Sequence, residues 1–275
     1  MIKRLVRTIA IVALATVVLA VALPVSAANT HSLDLERGST QQASIVDASQ
    51  TGLDFSTTFT AEAWVKPETI GANNPFIAKA LYNTQLEYVI WLTAANLFCL
   101  DVSDNGVQSN GHWQRYCSNS AVVSDTTTWH HLAVSFDING GNPIVTFYVD
   151  GSSVASALTN GTTIGTSLHN SDQPFRVGAD PDWLGAYYDG LIDEVRMWSD
   201  VRTSGEISAN YQTELVGNEA GLVGYWKFNN SYLDETANNN DLTAAGSPVF
   251  STDIPIWPAA AVDVPTGRRK QAIIF

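Results

Sequence analysis

The dipeptide Asp150-Gly151 restricts this chain more than any other pair of residues. It separates "IVTFYV" from "SSVAS", two extended runs with nothing else between them. A two-residue link of this kind is a type I′ turn, whose central residues need positive φ, and it forces the runs to pair antiparallel. Val145, Phe147 and Val149 then share one face of the hairpin. The same period of two recurs upstream. In "FTAEAWVKP", Phe59, Ala61, Ala63 and Val65 fall on one side, Thr60, Glu62, Trp64 and Lys66 on the other, and Pro67 ends the run. "HLAVSFD" aligns Leu132, Val134 and Phe136, while "YVIWL", "PFRVG" and "LVGYWKF" are further short apolar runs. Gly, Asn, Asp and Ser clusters punctuate them, a spacing that argues for an all-β sandwich or barrel.

One segment breaks the pattern. "TSGEISANYQTEL" opens with Thr203 and carries Glu206 three residues on, a capping box. Ile207, Tyr211 and Leu215 follow at i, i+4 and i+8, which predicts one short helix lying against a sheet.

"DGLIDEVRMW", residues 189–198, poses a puzzle. Counted by twos, Leu191, Asp193, Val195 and Met197 share one face, and Ile192, Glu194, Arg196 and Trp198 the other. Asp193 then sits among aliphatics, and Glu194 points away from it, beside Arg196. An unpaired polar group on an apolar face costs about 2–7 kcal/mol, so Asp193 needs a cation or a ring of donors.

The basic residues Lys3, Arg4 and Arg7, the apolar run Ile9–Leu23 and "VSA" ending at Ala27 read as a secretory signal peptide over residues 1–27, the rival being an uncleaved anchor. Losing those three cations takes the formal charge from −13 to −16. A chain this acidic does not bind nucleic acid or anionic membrane through a general field. An exported chain with two cysteines, Cys99 and Cys117, suggests one disulfide, since a hairpin turning at Asp104-Asn105-Gly106 brings them side by side. Two inert buried thiols are the alternative. Residues 258–275 read as a flexible tail. Asn160 and Asn229 lie in glycosylation sequons.

Taken in order, "SLDLERGSTQQASI", "FTAEAWVKP", "TWHHLAVSFD", "VTFYVDGSSVAS", "FRVGAD" and "YYDGLIDEVRMWSDVRTSGEI" resemble the laminin-G-like jelly-roll domains of the concanavalin A-like lectin/glucanase superfamily. The resemblance covers roughly residues 30–257, within a domain drawn at 28–257. It implies a two-sheet antiparallel jelly-roll sandwich with one short C-terminal helix. In this family a "YWxFD" segment often comes first. Here its counterpart, "LVGYWKFNNSYLDETANNNDL", comes after the helix, so 218–257 either closes the same sandwich or begins a truncated repeat.

The resemblance also implies a structural Ca²⁺ at the sandwich edge. Asp193 matches the typical ligand, with Asn229 and Asp34 as further candidates and carbonyls or water completing six to eight oxygens. Superfamily hydrolases carry Glu-x-Asp-x-x-Glu, which this chain lacks, and His130 and His131 fall in a strand. No catalytic residue is expected. Sugar recognition pairs aromatic faces with amides and carboxylates. "GADPDWLGAYYDG" offers Asp180, Asp182, Trp183, Tyr187 and Tyr188, and "NGHWQRY" offers His112, Trp113 and Tyr116. Loops on a rigid sandwich usually carry recognition, which favours the first group. The expected function is a secreted, non-catalytic binding or adhesion module for extracellular carbohydrate or glycoprotein. The alternatives are a structural cell-surface component and, less favoured, a polysaccharide hydrolase or lyase.

Overall fold

A computed structural model describes residues 29–182 and 186–257. The leader expected over 1–27, the tail at 258–275 and Trp183 lie outside the described residues. The strands run β1 (Ser32–Leu35), β2 (Gln42–Ile45), β3 (Thr58–Pro67), β4 (Asn74–Lys79), β5 (Leu86–Leu92), β6 (Phe98–Gly106), β7 (Trp113–Ser118), β8 (His130–Asp137), β9 (Ile144–Val149), β10 (Ser152–Val154) and β11 (Ser156–Gly161). After these come β12 (Phe175–Val177), β13 (Ala179–Asp180), β14 (Ala186–Tyr187), β15 (Gly190–Trp198), the helix α1 (Ser204–Asn210), β16 (Leu222–Trp226), β17 (Thr243–Ala245) and β18 (Val249–Ser251).

Two large antiparallel sheets form the sandwich. The first is ordered β10-β9-β8-β3-β15-β1-β18, with β16 also on β15; the second is β11-β7-β6-β5-β4-β12-β2-β17. The alternating residues of each strand meet between them. Phe59, Ala61, Ala63 and Val65 of β3 and Leu132, Val134 and Phe136 of β8 join the main core with Tyr88, Ile90 and Leu92 of β5 and Phe98, Leu100 and Val102 of β6. Residues 218–257 contribute to both sheets: β16 pairs with β15, β17 with β2 and β18 with β1. Among the described residues no helix is long and apolar enough to cross a membrane.

The hairpin at Asp150-Gly151 forms as the dipeptide requires. Both residues have positive φ, 49° and 77°, and Val149 pairs directly with Ser152. Gly151 is also needed for space, because a Cβ there would meet the Tyr211 ring at 2.6 Å. The capping box forms too: Glu206 N donates to Thr203 Oγ1 and Thr203 N donates to Glu206 Oε2. The helix is shorter than the apolar stripe. It ends at Asn210, so only Ile207 packs from the helix proper, against Ala133 and Tyr148. Tyr211, its C-cap, stacks on Trp64, and Leu215 joins Trp198, Leu222 and Tyr225.

The faces of β15 differ from the count by twos. Asp193 stands opposite Trp64, but Arg196 stands opposite Glu62, so two residues of β15 oppose the single Ala63. Glu194 takes φ 51° at this β-bulge. Ile192, Val195 and Met197 enter the core, while Leu191 does not. The extra residue therefore turns Asp193 away from the aliphatic interior and puts both acids on the outer face.

Candidate functional site

The outer face of the first sheet is sealed. Beneath α1 and the segment after it, buried charges form a network. Arg196 Nη2 donates to Glu194 Oε2 (2.8 Å) and to Thr213 O (2.6 Å), and Nη1 donates to Asn210 O (3.1 Å). Glu194 Oε2 also accepts from Tyr225 Oη (2.6 Å). Glu62 accepts from Trp198 Nε1 (2.6 Å) and lies 3.0 Å from His131 Nε2. Burial pushes the Glu62 carboxyl up, but His131, Arg196 and Trp198 together hold it below its ordinary value. His131 is buried in this network, and His130 pairs with Asp150 at 3.0 Å.

Asp193 lies at a joint in this face. β1 pairs with β15 at residues 190–192 and β16 pairs with it at 195–198, so the bulge marks the handover between the two neighbours. Asn229 ties the handover together: its Oδ1 accepts from Thr30 N (2.6 Å), Thr30 Oγ1 (3.0 Å) and His31 N (3.1 Å). Asp193 is fully buried and accepts from Asn29 Nδ2 (2.6 Å) and Glu194 N (2.9 Å). Burial first, then the neighbouring Glu194 charge, pushes its carboxyl well above the ordinary range.

The three candidate calcium ligands differ in what they already hold, and Asp34 Oδ1 is buried without a hydrogen-bond partner among the described residues. Asn229 Oδ1 is saturated by three donors. Asp34 pairs in register with Leu191, and its charge falls on Glu36 and Glu68. Among the described residues no group of three or more His, Cys, Asp or Glu is placed to hold a metal. What remains beside Asp193 is Asn29 Oδ1, buried without a hydrogen-bond partner. Asp193 and Asn29 carry hard oxygens, the donor type that Ca²⁺ takes, with Asn29 turning its Nδ2 rather than its Oδ1 to Asp193.

The outer face of the second sheet is built differently. Cys99 and Cys117 stand directly opposite each other on β6 and β7 and are joined by a disulfide. The bridge lies outside the main core, in a separate cluster with Ala78, Val89, Trp91 and Trp113. Two residues along the hairpin Asp101 stands opposite Arg115. Arg115 Nε and Nη2 each reach an Asp101 carboxylate oxygen at 2.7 Å, and its guanidinium lies over the rings of Trp91 (4.7 Å) and Trp113 (5.2 Å). Trp91 Nε1 donates to Asp101 (3.2 Å). The register continues from Asp101 through Val89 and Ala78 to Arg176 on β12. There the chain turns into the small β13–β14 arm, which carries Asp180, Asp182 and Tyr187.

The sequence clusters sort themselves against this face. Asp180 is buried at the base of the arm, and burial, with Asp182 and Asp101 adding to it against Arg176, pushes its carboxyl up to about 7. Asp182 is exposed and Tyr187 half-buried. Tyr188, read from sequence as a ligand-loop aromatic, is fully buried in the main core and offers no face to a sugar. Tyr116 also packs into the core, and His112 pairs with Asp104 at 2.8 Å. Trp91, Asp101, Arg115 and Arg176 were not singled out in sequence. The bridge would have found two of them: once Cys99 faces Cys117, counting two residues along each strand puts Asp101 opposite Arg115.

The two antiparallel sheets packed as a sandwich have the form of a jelly roll. The chain belongs to the Laminin_G_3 family of the concanavalin A-like lectin/glucanases superfamily, whose profile matches residues 37–208. No curated protein matches it. Among solved structures it is similar to a Bacteroides ovatus protein described as a "putative carbohydrate binding protein", at TM-score 0.59 and 19% identity over 82% of this chain. The chain spans 61% of that protein's length. Lower similarity links it to a heptameric SAP-like pentraxin of Limulus polyphemus (TM-score 0.48, 12% identity, 77% of this chain and 94% of that one). The Ruminococcus gnavus IT-sialidase CBM40 bound to α2,3-sialyllactose gives TM-score 0.44 and 14% identity over 62% of this chain and 96% of that one.

Proposed function

We propose that the protein is an exported, non-catalytic carbohydrate-binding module that works through the outer face of its second sheet. The observation that supports this most is the joining of Trp91, Trp113, Arg115 and Asp101 on one face next to the β13–β14 arm. The two indoles are 3% and 8% exposed beneath Arg115, so what this cluster presents to sugar hydroxyls is the part of the Arg115 side chain left in solvent, held in place by the rings and by Asp101. The Bacteroides ovatus relative of the same fold is described as binding carbohydrate, which agrees with this reading. An oxidised disulfide and an acidic chain agree with life outside the cytosol. The adjacent acids Asp193 and Glu194 are both buried, Asp193 at the β1–β16 joint and committed to Asn29, Glu194 committed to Arg196 and Tyr225, out of reach of a polymer substrate.

A glycan array with the full chain and with Trp113→Ala tests the reading. Binding to a defined set of glycans, lost in a folded Trp113→Ala, is the expected result. A folded protein that binds no glycan is a structural surface component instead. Turnover of a β-glucan panel, abolished by one carboxylate substitution, would make it an enzyme.

The same reading includes a Ca²⁺ at the Asp193 joint, held by Asp193 and Asn29 and bracing the handover from β1 to β16. A ligand bound only by the native state stabilises it by about 2.7 kcal/mol at a hundredfold excess over Kd. The melting midpoint should fall with EDTA, recover with Ca²⁺, and ignore both in Asp193→Asn. A midpoint indifferent to chelator in the unmodified chain leaves Asp193 as a structural acid held by Asn29 and Glu194 N.

A further inference from the structure

The charges on the second sheet's outer face do not balance. Arg115 is spent on Asp101, since two guanidinium nitrogens meet both carboxylate oxygens at 2.7 Å. Three strands away along the same register stands Arg176. Its Nη1 donates to Ala80 O at 3.0 Å, and its charge falls on Asp180, Asp182 and Tyr187. Asp180 is 3% exposed, yet its Oδ1 has no hydrogen-bond partner among the described residues. Asp182 beside it is exposed. One cation, Arg176, thus faces two acids, in a chain whose formal charge is already −13.

We propose that this face selects neutral sugars, through hydroxyl donors offered to Asp180, and rejects sugars that carry a carboxylate. The inference rests on the carbohydrate reading above and adds the class of ligand. An unpartnered carboxylate oxygen lacks a donor, and a sugar hydroxyl is one. A uronate or sialate brings a second acceptor and a negative charge, which Asp182 repels and Arg176 alone must offset. Discrimination of this kind, by an unpaired charge set against the wrong ligand, is a common source of specificity.

The choice is pH-dependent in opposite directions for the two ligand classes. The groups facing Asp180 are Arg176 from β12, Asp182 from its own arm and Asp101 from β6, the last already paired with Arg115. Burial and the two acids push Asp180 up to about 7. Above that pH it is ionised, a stronger acceptor for hydroxyls and a stronger repeller of carboxylates. Below it the acid is neutral, so neutral sugars bind more weakly and acidic ones less poorly.

Calorimetric titration of the full chain with matched oligosaccharides tests this. Suitable pairs are lactose with 3′-sialyllactose and galactotetraose with tetragalacturonate, each at pH 6 and pH 8. At pH 8 the acidic member should bind about tenfold more weakly or worse than its neutral partner. Affinity for the neutral member should rise severalfold from pH 6 to pH 8, and Asp180→Asn should abolish that rise. Asp182→Asn, at an exposed position, should improve acidic binding at pH 8. Equal or tighter binding of the acidic member at pH 8, or a neutral-sugar pH profile that survives in Asp180→Asn, overturns the inference while leaving the module a carbohydrate binder. Binding to no member at either pH overturns the carbohydrate reading and this inference together.

Discussion

The outer faces of the two sheets use the same kinds of residue to opposite ends. On the first, Arg196 serves Glu194, Thr213 O and Asn210 O and lies 3.9 Å from Glu62. Two tryptophans, a histidine and two tyrosines close around these groups, and α1 with its following segment covers them. On the second, Arg115 keeps 21% of its side chain in solvent, lies over two indoles and shares its face with an acid left without a partner on one oxygen. The lesson is that charge type does not separate the covered face from the face proposed to bind. Cover does: the first network is closed off beneath α1 and its following segment even though Glu194 Oε1, Arg196 Nε and His131 Nδ1 lack partners among the described residues, whereas on the second face Arg115 reaches solvent.

Substitutions at the two arginines should split the faces most widely. Arg196→Met removes the cation between Glu62 and Glu194 and leaves buried acids uncompensated, a loss of about 3–5 kcal/mol in denaturant unfolding. Arg115→Met should cost about 1–2 kcal/mol, because Asp101 keeps the Trp91 indole N–H, but should weaken glycan binding. Equal stability losses at the two sites would erase the distinction. Next in size is the disulfide. It closes a separation of 18 residues, and Cys99→Ala with Cys117→Ala should lower stability by about 2–4 kcal/mol. The core is separate from the bridge, so a cooperative fold should survive while glycan affinity drops. Affinity unchanged in the double variant would detach the bridge from the binding face. The smallest effect belongs to the helix that seals the first sheet. Thr203→Ala removes one side of the capping box and should cost about 1 kcal/mol. Hydrogen exchange should then accelerate over α1 and leave the β6–β7 hairpin unaffected.

Much of this was legible in the chain. Alternation in β3, β8 and β9 named the core residues correctly, because a face buried in a sandwich tolerates only apolar side chains at every second position. Asp150-Gly151 identified its turn, and Thr203 with Glu206 identified the start of the helix, since both depend on atoms within a few residues. The bulge in β15 was not legible. An extra residue in a strand leaves no mark on local composition, and it reverses every face assignment before or after it. That is why Asp193, counted onto the apolar face, belongs to the outer one, and why Glu194 is its neighbour rather than its opposite. The candidate site was half legible. Aromatic and acidic clusters stood out in the loops, but Tyr188 turned inward, and Arg176 and Asp101 became neighbours of Asp180 only through the pairing of β12, β4, β5 and β6.

By itself the sequence determined the class of fold, the hairpin, the helix cap and the cysteine pair, all of which follow from period, turn chemistry and short-range geometry. Only the tertiary structure decided which face each charge occupies and which charges are left unpaired. Those depend on strand register and on what covers each sheet, and both are set by contacts between residues far apart in the chain.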